Sequence, residues 1–143
     1  MATRDATTHW TGGLNSGTGT LTLDSSNSAR FTVSFPRRIG EPEGTTSPEE
    51  LIAAAQASCL AMNLAGTLEK EGLTANSIDA NASVTVEPSN GGLSINNVDV
   101  TLRASVDGID EERFSTIAQK AKDTCPVSRA LAGTTITLHA SLA

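Results

Sequence analysis

Aromatic residues are scarce in this chain of 143 residues, which has one tryptophan, three phenylalanines and no tyrosine. Hydrophobic residues make up 38% of the sequence, so the core must be built mainly from Val, Leu, Ile and Ala. The length is that of one domain, and we expect a single domain over residues 1–143. A protein whose core holds so few aromatic residues would gain stability by burying further apolar surface in an oligomer.

Basic residues are also few, since 10 Lys and Arg stand against 16 Asp and Glu and give a net charge of −6. This balance argues against nucleic-acid binding, which needs a basic patch or stripe. Residues 1–8 lack the apolar segment of a signal peptide, and no stretch approaches the ~18 apolar residues of a membrane span. We therefore expect a soluble, cytoplasmic protein without a membrane or nucleic-acid partner.

Only two cysteines are present, Cys59 and Cys125, and neither belongs to a CxxC motif. Together with His9 and His139 they do not have the spacing of a zinc site. GxSxG, P-loop, Rossmann and HExxH motifs are also missing. A structural disulfide is rare in a reducing compartment, so composition alone leaves two buried, inert thiols as probable as a redox pair.

The first third of the chain contains three short alternating segments, separated by turn residues, that predict an antiparallel meander at 9–13, 18–24 and 30–35. Residues 36–46 hold two prolines and two glycines and predict a loop. Because loops lie on the surface, this one is well placed to present the charge of Arg37 or Arg38.

A long helix is predicted from Pro48 to about Lys70. Ser47 is a favourable N-cap, and Glu50 stands three residues later as in a capping box. Gly72 is the expected stop signal. The middle of the segment is almost wholly apolar or small, which predicts a central helix buried on all sides.

The remaining residues predict a hairpin of strands 77–87 and 93–107 joined by 88–92, an amphipathic helix at 110–123, a short helical piece at 125–131 and a last strand at 134–142. Strands before and after helices, joined mostly by short turns, indicate an α+β fold with a largely antiparallel sheet.

Cys59 lies in the middle of the most apolar helix. Burial raises the pKa of a thiol and makes it unreactive, so reactivity would require a nearby cation. The nearest supply in sequence is the pair Arg37 and Arg38. The polar neighbours of this cysteine on the same helix are interpreted as mainly structural: Gln56, Ser58 and Asn63.

Two motifs resemble a known family. Residues 46–59, Thr-Ser-Pro-Glu-Glu-Leu-Ile-Ala-Ala-Ala-Gln-Ala-Ser-Cys, resemble the active-site helix of the OsmC and Ohr proteins. Residues 125–128, Cys-Pro-Val-Ser, resemble their second cysteine motif. The order of elements extends the resemblance over nearly the whole chain, and an arginine just before the helix resembles the OsmC subgroup. Gln56 departs from the pattern, in which we expect a residue such as histidine.

The resemblance implies a peroxidase acting on organic hydroperoxides and, less well, on hydrogen peroxide. Its fold would be a largely antiparallel sheet wrapped around a long central helix in an intertwined homodimer. Cys59 would match the peroxidatic cysteine and Cys125 the resolving one. Glu49 would match the family's glutamate, with Glu50 as the alternative. We favour Arg38 over Arg37 for the arginine because it lies nearer the helix.

This assignment predicts a simple chemistry. A thiolate attacks the peroxide bond, so a guanidinium held by Glu49 would keep Cys59 ionised. The resulting sulfenic acid condenses with Cys125 to a disulfide, which a cellular dithiol reduces. No metal or organic cofactor is required.

Two further expectations concern the surroundings of the thiol. Apolar side chains close in sequence, Ile52, Leu60 and Val127, with Leu51 and Met62, would line a pocket for the alkyl group of the substrate. Glu49 and Cys59 are ten residues apart on one helix, about 15 Å along its axis. We therefore predict that Arg38 and Glu49 of one subunit meet Cys59 of the other.

Two other functions fit the same residues. A thiol redox sensor would use the cysteine pair for signalling, although 143 residues hold no obvious output domain. A binding module would instead hold a small apolar ligand at the dimer interface. Multiple turnovers with a dithiol distinguish the enzyme from both.

Overall fold

A computed structural model describes all residues from 1 to 143. It contains six strands and four helices: β1 (Thr7–Thr11), β2 (Thr18–Thr22), β3 (Arg30–Val33), α1 (Phe35–Ile39), α2 (Pro48–Lys70), β4 (Ala75–Ser89), β5 (Gly92–Val106), α3 (Glu111–Thr124), α4 (Pro126–Ala130) and β6 (Thr135–Leu142). The chain forms two compact units, residues 1–51 and 52–143.

The first unit contains an antiparallel sheet in the order β1–β2–β3, which confirms the predicted meander. Trp10 stands opposite Gly19 across the first strand pair. A Cβ atom on Gly19 would lie 2.8 Å from Val33 and 3.0 Å from the Trp10 ring. The missing side chain therefore makes room for the indole on this face of the sheet.

A short helix, α1, replaces the loop and strand end that we expected around residue 36. Pro36 lies in its first turn, where the missing N–H has no partner to lose. The amide of Arg38 donates to the carbonyl of Ser34 at 3.0 Å. The prediction of a loop over residues 36–46 is therefore wrong for 36–39, where proline in a first helical turn is compatible with a helix, and is confirmed for 40–46.

Helix α2 begins and ends as the sequence predicts. The amide of Glu50 donates to the hydroxyl of Ser47 at 3.2 Å, while the Glu50 carboxylate accepts a hydrogen bond from Thr46 at 2.6 Å. Only one half of the predicted capping box is therefore formed. Gly72 follows the helix with φ of 75°, a left-handed conformation that favours glycine.

Helix α2 is not buried on all sides, so that expectation was wrong. One face is buried and carries Gln56, Leu60, Leu64 and Leu68, whereas Ala54, Ala55, Ser58 and Met62 are exposed. Met62 keeps 69% of its surface. Three of the exposed positions on this helix hold small residues, Ala54, Ala55 and Ser58, whose contact with water costs little in the isolated chain.

Judged by length and composition alone, helix α2 could cross a membrane. Its 18-residue window has a mean hydropathy of 1.4. Our expectation that no stretch approaches a membrane span was therefore wrong. Alanine, which is frequent here, raises the hydropathy without forming a wide apolar stripe. The core helix of a soluble protein has the same length and composition.

The second unit contains a sheet in the order β4–β5–β6. The strands β4 and β5 form the predicted hairpin, but they extend to Ser89 and Gly92 and leave only Asn90 and Gly91 in the turn. Gly91 has a φ of 99°, which explains the glycine at this position. Strand β6 lies parallel to β5, so the chain crosses over through α3 and α4.

The core of the second unit lies between this sheet and two helices. Strand register aligns apolar side chains from β4, β5 and β6 in four rows: Val84–Val98–Ile136, Ala82–Val100–Leu138, Ala80–Leu102–Ala140 and Ile78–Ala104–Leu142. The buried leucines of α2 and the apolar face of α3 join the same core. The Asp110 side chain caps α3 by accepting from the amide of Arg113 at 2.8 Å.

Candidate active site

Cys59 and Cys125 are brought into contact although they are 66 positions apart. Their sulfur atoms are 3.2 Å from each other, within hydrogen-bond distance, and both are free thiols. Cys125 is completely buried, whereas Cys59 is partly exposed. An oxidant therefore has access to one sulfur, with the second immediately behind it.

The junction between α3 and α4 fixes the position of Cys125. This residue ends α3 and is the N-cap of α4, with Pro126 in the first turn. The Asn63 amide of α2 donates to the carbonyl of Ala121 at 2.6 Å and to the hydroxyl of Thr124 at 2.8 Å. These bonds hold the end of α3 against α2 beside Cys59.

The surroundings of the two sulfurs shift their pKa values in opposite directions. Burial and the neighbouring Cys125 raise the pKa of Cys59, and the backbone N–H of Val127 offsets this only in part. Burial also acts to raise the pKa of Cys125, but the neighbouring groups of Ser128, Cys59 and Val127 together lower it below its ordinary value. The surroundings within residues 52–143 thus disfavour the Cys59 thiolate, which a nearby cation would stabilise.

Gln56 and Ser128 form a buried hydrogen bond beside this pair. The Gln56 Nε2 donates to the Ser128 hydroxyl at 2.8 Å, and the Gln56 side chain is fully buried. Its carbonyl oxygen has no partner, which costs about 1–3 kcal/mol relative to a satisfied group. The residues are 72 positions apart, so no local sequence signal could have revealed the contact.

The first unit contains the arginine–carboxylate pair. The guanidinium of Arg38 forms an ion pair with the carboxylate of Glu49. Its Nη2 donates to Oε1 at 2.7 Å, and its Nε donates to Oε1 at 3.1 Å and to Oε2 at 3.2 Å. Arg37 instead pairs with Glu43 at the surface, and Glu50 bonds to Thr46. The geometry thus distinguishes Arg38 from Arg37 and Glu49 from Glu50.

The buried position of this ion pair changes the acidity of both groups. The side chains of Glu49 and Arg38 are 7% and 30% exposed. Burial alone would raise the pKa of Glu49, but the hydrogen bonds and charge of Arg38 lower it, together with the residue's own amide and Ser47. Hydrogen bonding to Glu49 raises the pKa of Arg38, so the pair is ionised at neutral pH.

We expect Glu49→Gln to lower the free energy of unfolding by about 1–2 kcal/mol at neutral pH. Because the folded-state pKa of Glu49 is lowered, its contribution is complete above the unfolded-state value and disappears as the pH falls through the folded-state value. Urea unfolding at neutral and acidic pH measures this difference, with Glu50→Gln as the control. A difference that is equal at both pH values would contradict the assignment.

A small cavity lies beside Arg38 in the first unit. It has a volume of about 140 Å³ and is lined mainly by apolar side chains, with the arginine in its wall: Trp10, Leu14, Val33, Phe35, Arg38 and Pro48, together with Ser34 and Thr46. An apolar cavity with one cation suits a ligand that has an alkyl or aryl part and a polar end.

Three of the residues predicted to line a substrate pocket, Ile52, Leu60 and Val127, differ in their exposure. Leu60 is completely buried in the core of the second unit and offers no surface to a ligand. Ile52 and Val127 are half-buried, and their contact with substrate stays a prediction. No group of three or more His, Cys, Asp or Glu side chains is arranged to hold a metal ion.

Sequence comparison identifies relatives of the chain. Residues 40–139 match the family model described as OsmC-like protein. Over 123 residues the chain is 39% identical to peroxiredoxin OsmC of Escherichia coli strain K12, which covers 86% of this chain and 85% of the relative. It is 36% identical over 105 residues to an organic hydroperoxide resistance protein of Xanthomonas axonopodis pv. citri, covering 71% and 70%.

Solved structures share the fold. An organic hydroperoxide resistance protein OsmC from Legionella pneumophila superposes with a TM-score of 0.75 at 23% identity, covering 100% of this chain and 98% of that chain. This similarity confirms the predicted α+β fold. The two cysteine motifs lie within the residues that match the family model, and the chain belongs to the OsmC-like family.

Proposed function

We propose that this protein is a thiol-dependent peroxidase that reduces organic hydroperoxides, and hydrogen peroxide less well, in defence against oxidative stress. The observation that carries the proposal is the 3.2 Å contact between a partly exposed and a buried sulfur. Relatives named peroxiredoxin and organic hydroperoxide resistance protein support the same activity. We place the enzyme in the cytoplasm and treat residues 1–143 as one functional domain.

The reaction proceeds in three steps. The Cys59 thiolate attacks one oxygen of the hydroperoxide, the O–O bond breaks, and the alkoxide takes a proton and leaves as an alcohol. Cys59 is now a sulfenic acid, and the Cys125 thiolate attacks its sulfur and expels hydroxide, which becomes water. A dithiol then reduces the disulfide by exchange and returns both thiols.

The first step requires a cation at Cys59, because its pKa is raised by the groups around it. We assign this role to Arg38, whose guanidinium is permanently charged and is oriented by Glu49. Glu49 and Cys59 are about 15 Å apart along one helix. The Arg38 that serves Cys59 therefore comes from a second subunit.

The exposed face of α2 supports a homodimer as the active form. A helix this apolar leaves Ala54, Ala55 and Met62 in water, and a second copy of the chain would cover them. Small side chains on this face permit close approach of another backbone. The dimer would bring Arg38 and Glu49 of one subunit to Cys59 of the other.

We assign the organic part of the substrate to the cavity beside Arg38. Its apolar side chains, including Trp10 and Phe35, would accept an alkyl or aryl group. The guanidinium in its wall would bind the peroxide oxygens. Hydrogen peroxide lacks the apolar part and would gain nothing from this contact, which explains the proposed preference.

The central test is the fate of the two thiols. After one equivalent of hydroperoxide, mass spectrometry of the wild type should find a Cys59–Cys125 disulfide within one chain, and a dithiol should support many turnovers. Cys125→Ser should reach the sulfenic acid and then over-oxidise to sulfinic acid when peroxide is in excess. Oxidation without repeated turnover would instead indicate a redox sensor.

A further inference from the structure

The contact between the two cysteine sulfurs lies between two sets of hydrogen bonds that join α2 to the corner of α3 and α4. We infer that Gln56 and Asn63 are positioning residues. This pair, the amide clamp, holds Cys125 beside Cys59 and so decides whether the oxidised enzyme closes its disulfide or is over-oxidised. The inference rests on the proposed peroxidase function, because it concerns the second step of that reaction.

On α2, both amides share a face with the partly exposed thiol. Gln56 is three residues before Cys59 and Asn63 is four residues after it, so the three side chains lie in one row along the helix. Gln56 and Asn63 are about 10 Å apart along the helix axis. Cys59 therefore lies between the two points at which α2 is bonded to the facing segment.

The bonding partners enclose the buried thiol in the same way. The Asn63 Nδ2 donates to the carbonyl of Ala121 at 2.6 Å and to the hydroxyl of Thr124 at 2.8 Å, at the end of α3. The Gln56 Nε2 donates to the hydroxyl of Ser128 at 2.8 Å, in the first turn of α4. A single attachment would let the corner pivot, whereas attachments before and after the second cysteine fix its distance from α2.

The unpartnered oxygen of Gln56 indicates that this amide is kept for its nitrogen. The side chain is fully buried and its carbonyl has no hydrogen-bond partner, an arrangement that folding alone disfavours. A methionine of similar shape would avoid the unsatisfied group but would lose the bond to Ser128. Retention of the amide is explained if the attachment of α4 has a functional value.

Two reactions compete for the sulfenic acid of Cys59. In closure, the Cys125 sulfur attacks the Cys59 sulfur, an S–S bond forms, the S–O bond breaks, and the hydroxide takes the thiol proton and leaves as water. In over-oxidation, a second hydroperoxide transfers one oxygen atom to the same sulfur, which becomes a sulfinic acid, and leaves as an alcohol. Only closure depends on how the two sulfurs are held relative to each other.

The amide clamp keeps closure ahead in this competition. The sulfurs are 3.2 Å apart, and the remaining approach of roughly 1 Å to the length of a disulfide is within the reach of side-chain rotation. Neither helix has to move. Loss of one attachment would let Cys125 withdraw from α2, and a misplacement of about 1 Å can slow a positioned reaction by about 100-fold.

Asn63→Leu removes both bonds at one end of the amide clamp with little change in side-chain volume. Rapid-quench mass spectrometry with an alkyl hydroperoxide separates formation of the sulfenic acid from closure. We expect closure to be about tenfold slower, while sulfenic acid formation changes by less than about twofold. The hydroperoxide concentration that converts half of the enzyme to sulfinic acid should fall by the same factor. Gln119→Leu is the matched control, because this amide of α3 donates to Asp123 of its own helix, and it should close as fast as the wild type.

Thr124 tests the same end of the amide clamp without a change in α2. Valine removes the hydroxyl that accepts from Asn63, whereas serine keeps it. Closure should be about threefold slower in Thr124→Val and unchanged in Thr124→Ser. Equal closure rates in these two variants would overturn the inference even if Asn63→Leu did not fold.

Gln56→Met separates positioning from packing at the other end. We expect closure to be about threefold slower, while the thermal unfolding temperature stays equal or rises because the unpartnered oxygen is gone. Wild-type closure in Asn63→Leu or in Gln56→Met, or a first step slowed as much as closure, would overturn the inference. Failure of the proposed function has a different signature, since the wild type itself would then form no sulfenic acid with hydroperoxide.

Discussion

Cys59→Ser is expected to reduce hydroperoxide consumption by at least about 1,000-fold. A serine hydroxyl is not ionised at neutral pH and does not attack a peroxide bond, whereas a thiolate does. Cys125 cannot replace it, because this residue is completely buried behind Cys59. The effect should therefore exceed that of every other single substitution in the chain.

The measurement is steady-state consumption of an alkyl hydroperoxide with a dithiol reductant. Ser58→Ala is the matched control, since this exposed neighbour bonds only to the carbonyls of its own helix. It should keep wild-type turnover. Retained activity in Cys59→Ser, in a protein that is folded by circular dichroism, would end the peroxidase assignment.

Arg38→Met is expected to lower kcat/KM by about 100-fold. Removal of the guanidinium leaves Cys59 with the raised pKa that its surroundings impose, and it also removes the cation that binds the peroxide. Arg37→Met is the control, because Arg37 pairs with an exposed glutamate at the surface. Arg38→Lys should have a smaller loss of kcat/KM than Arg38→Met, since lysine keeps the charge but cannot make the bidentate contact with Glu49.

A mixing experiment tests whether the site is shared between subunits. A heterodimer of Arg38→Met and Cys59→Ser chains contains one site with both an intact arginine and an intact cysteine, if these residues come from different subunits. The Cys59→Ser homodimer and the impaired Arg38→Met homodimer should then regain activity when their subunits are exchanged. A lack of recovery, with heterodimers present by native mass spectrometry, would mean that each chain builds its own site.

The ends of α2 were predictable because they depend on local chemistry. Ser47, Pro48 and Glu50 are local signals for a helix start, and Gly72 supplies the left-handed residue that stops the helix. The burial of this helix was not predictable from its composition. Ala54 and Met62 remain exposed in this chain, and the sequence does not reveal which faces of a helix the fold leaves uncovered.

The choice between Arg37 and Arg38 could not be made without α1. Once residues 35–39 are helical, consecutive side chains point in different directions. Arg38 then meets Glu49, while Arg37 meets Glu43. Sequence distance from α2 favours Arg38 only weakly, whereas the contact with buried Glu49 separates it clearly from Arg37.

The contact between the two cysteines, like that between Gln56 and Ser128, could not be predicted from sequence position. The family resemblance suggested that Cys59 and Cys125 act together, but their positions in sequence gave no physical reason for it. The contact depends on the packing of α3 and α4 against α2, and the bond between Gln56 and Ser128 depends on it too. Such contacts are set by tertiary structure.

The parallel pairing of β6 with β5 has a consequence for biosynthesis. The chain must cross over through α3 and α4 before this pairing forms, and contacts between distant segments are made late in folding. Cys125 lies on that crossover, so a ribosome completes Cys59 well before its partner can be fixed in place. A nascent chain that has passed Cys59 but not yet Cys125 therefore holds a thiol whose sulfenic acid has no second cysteine with which to condense.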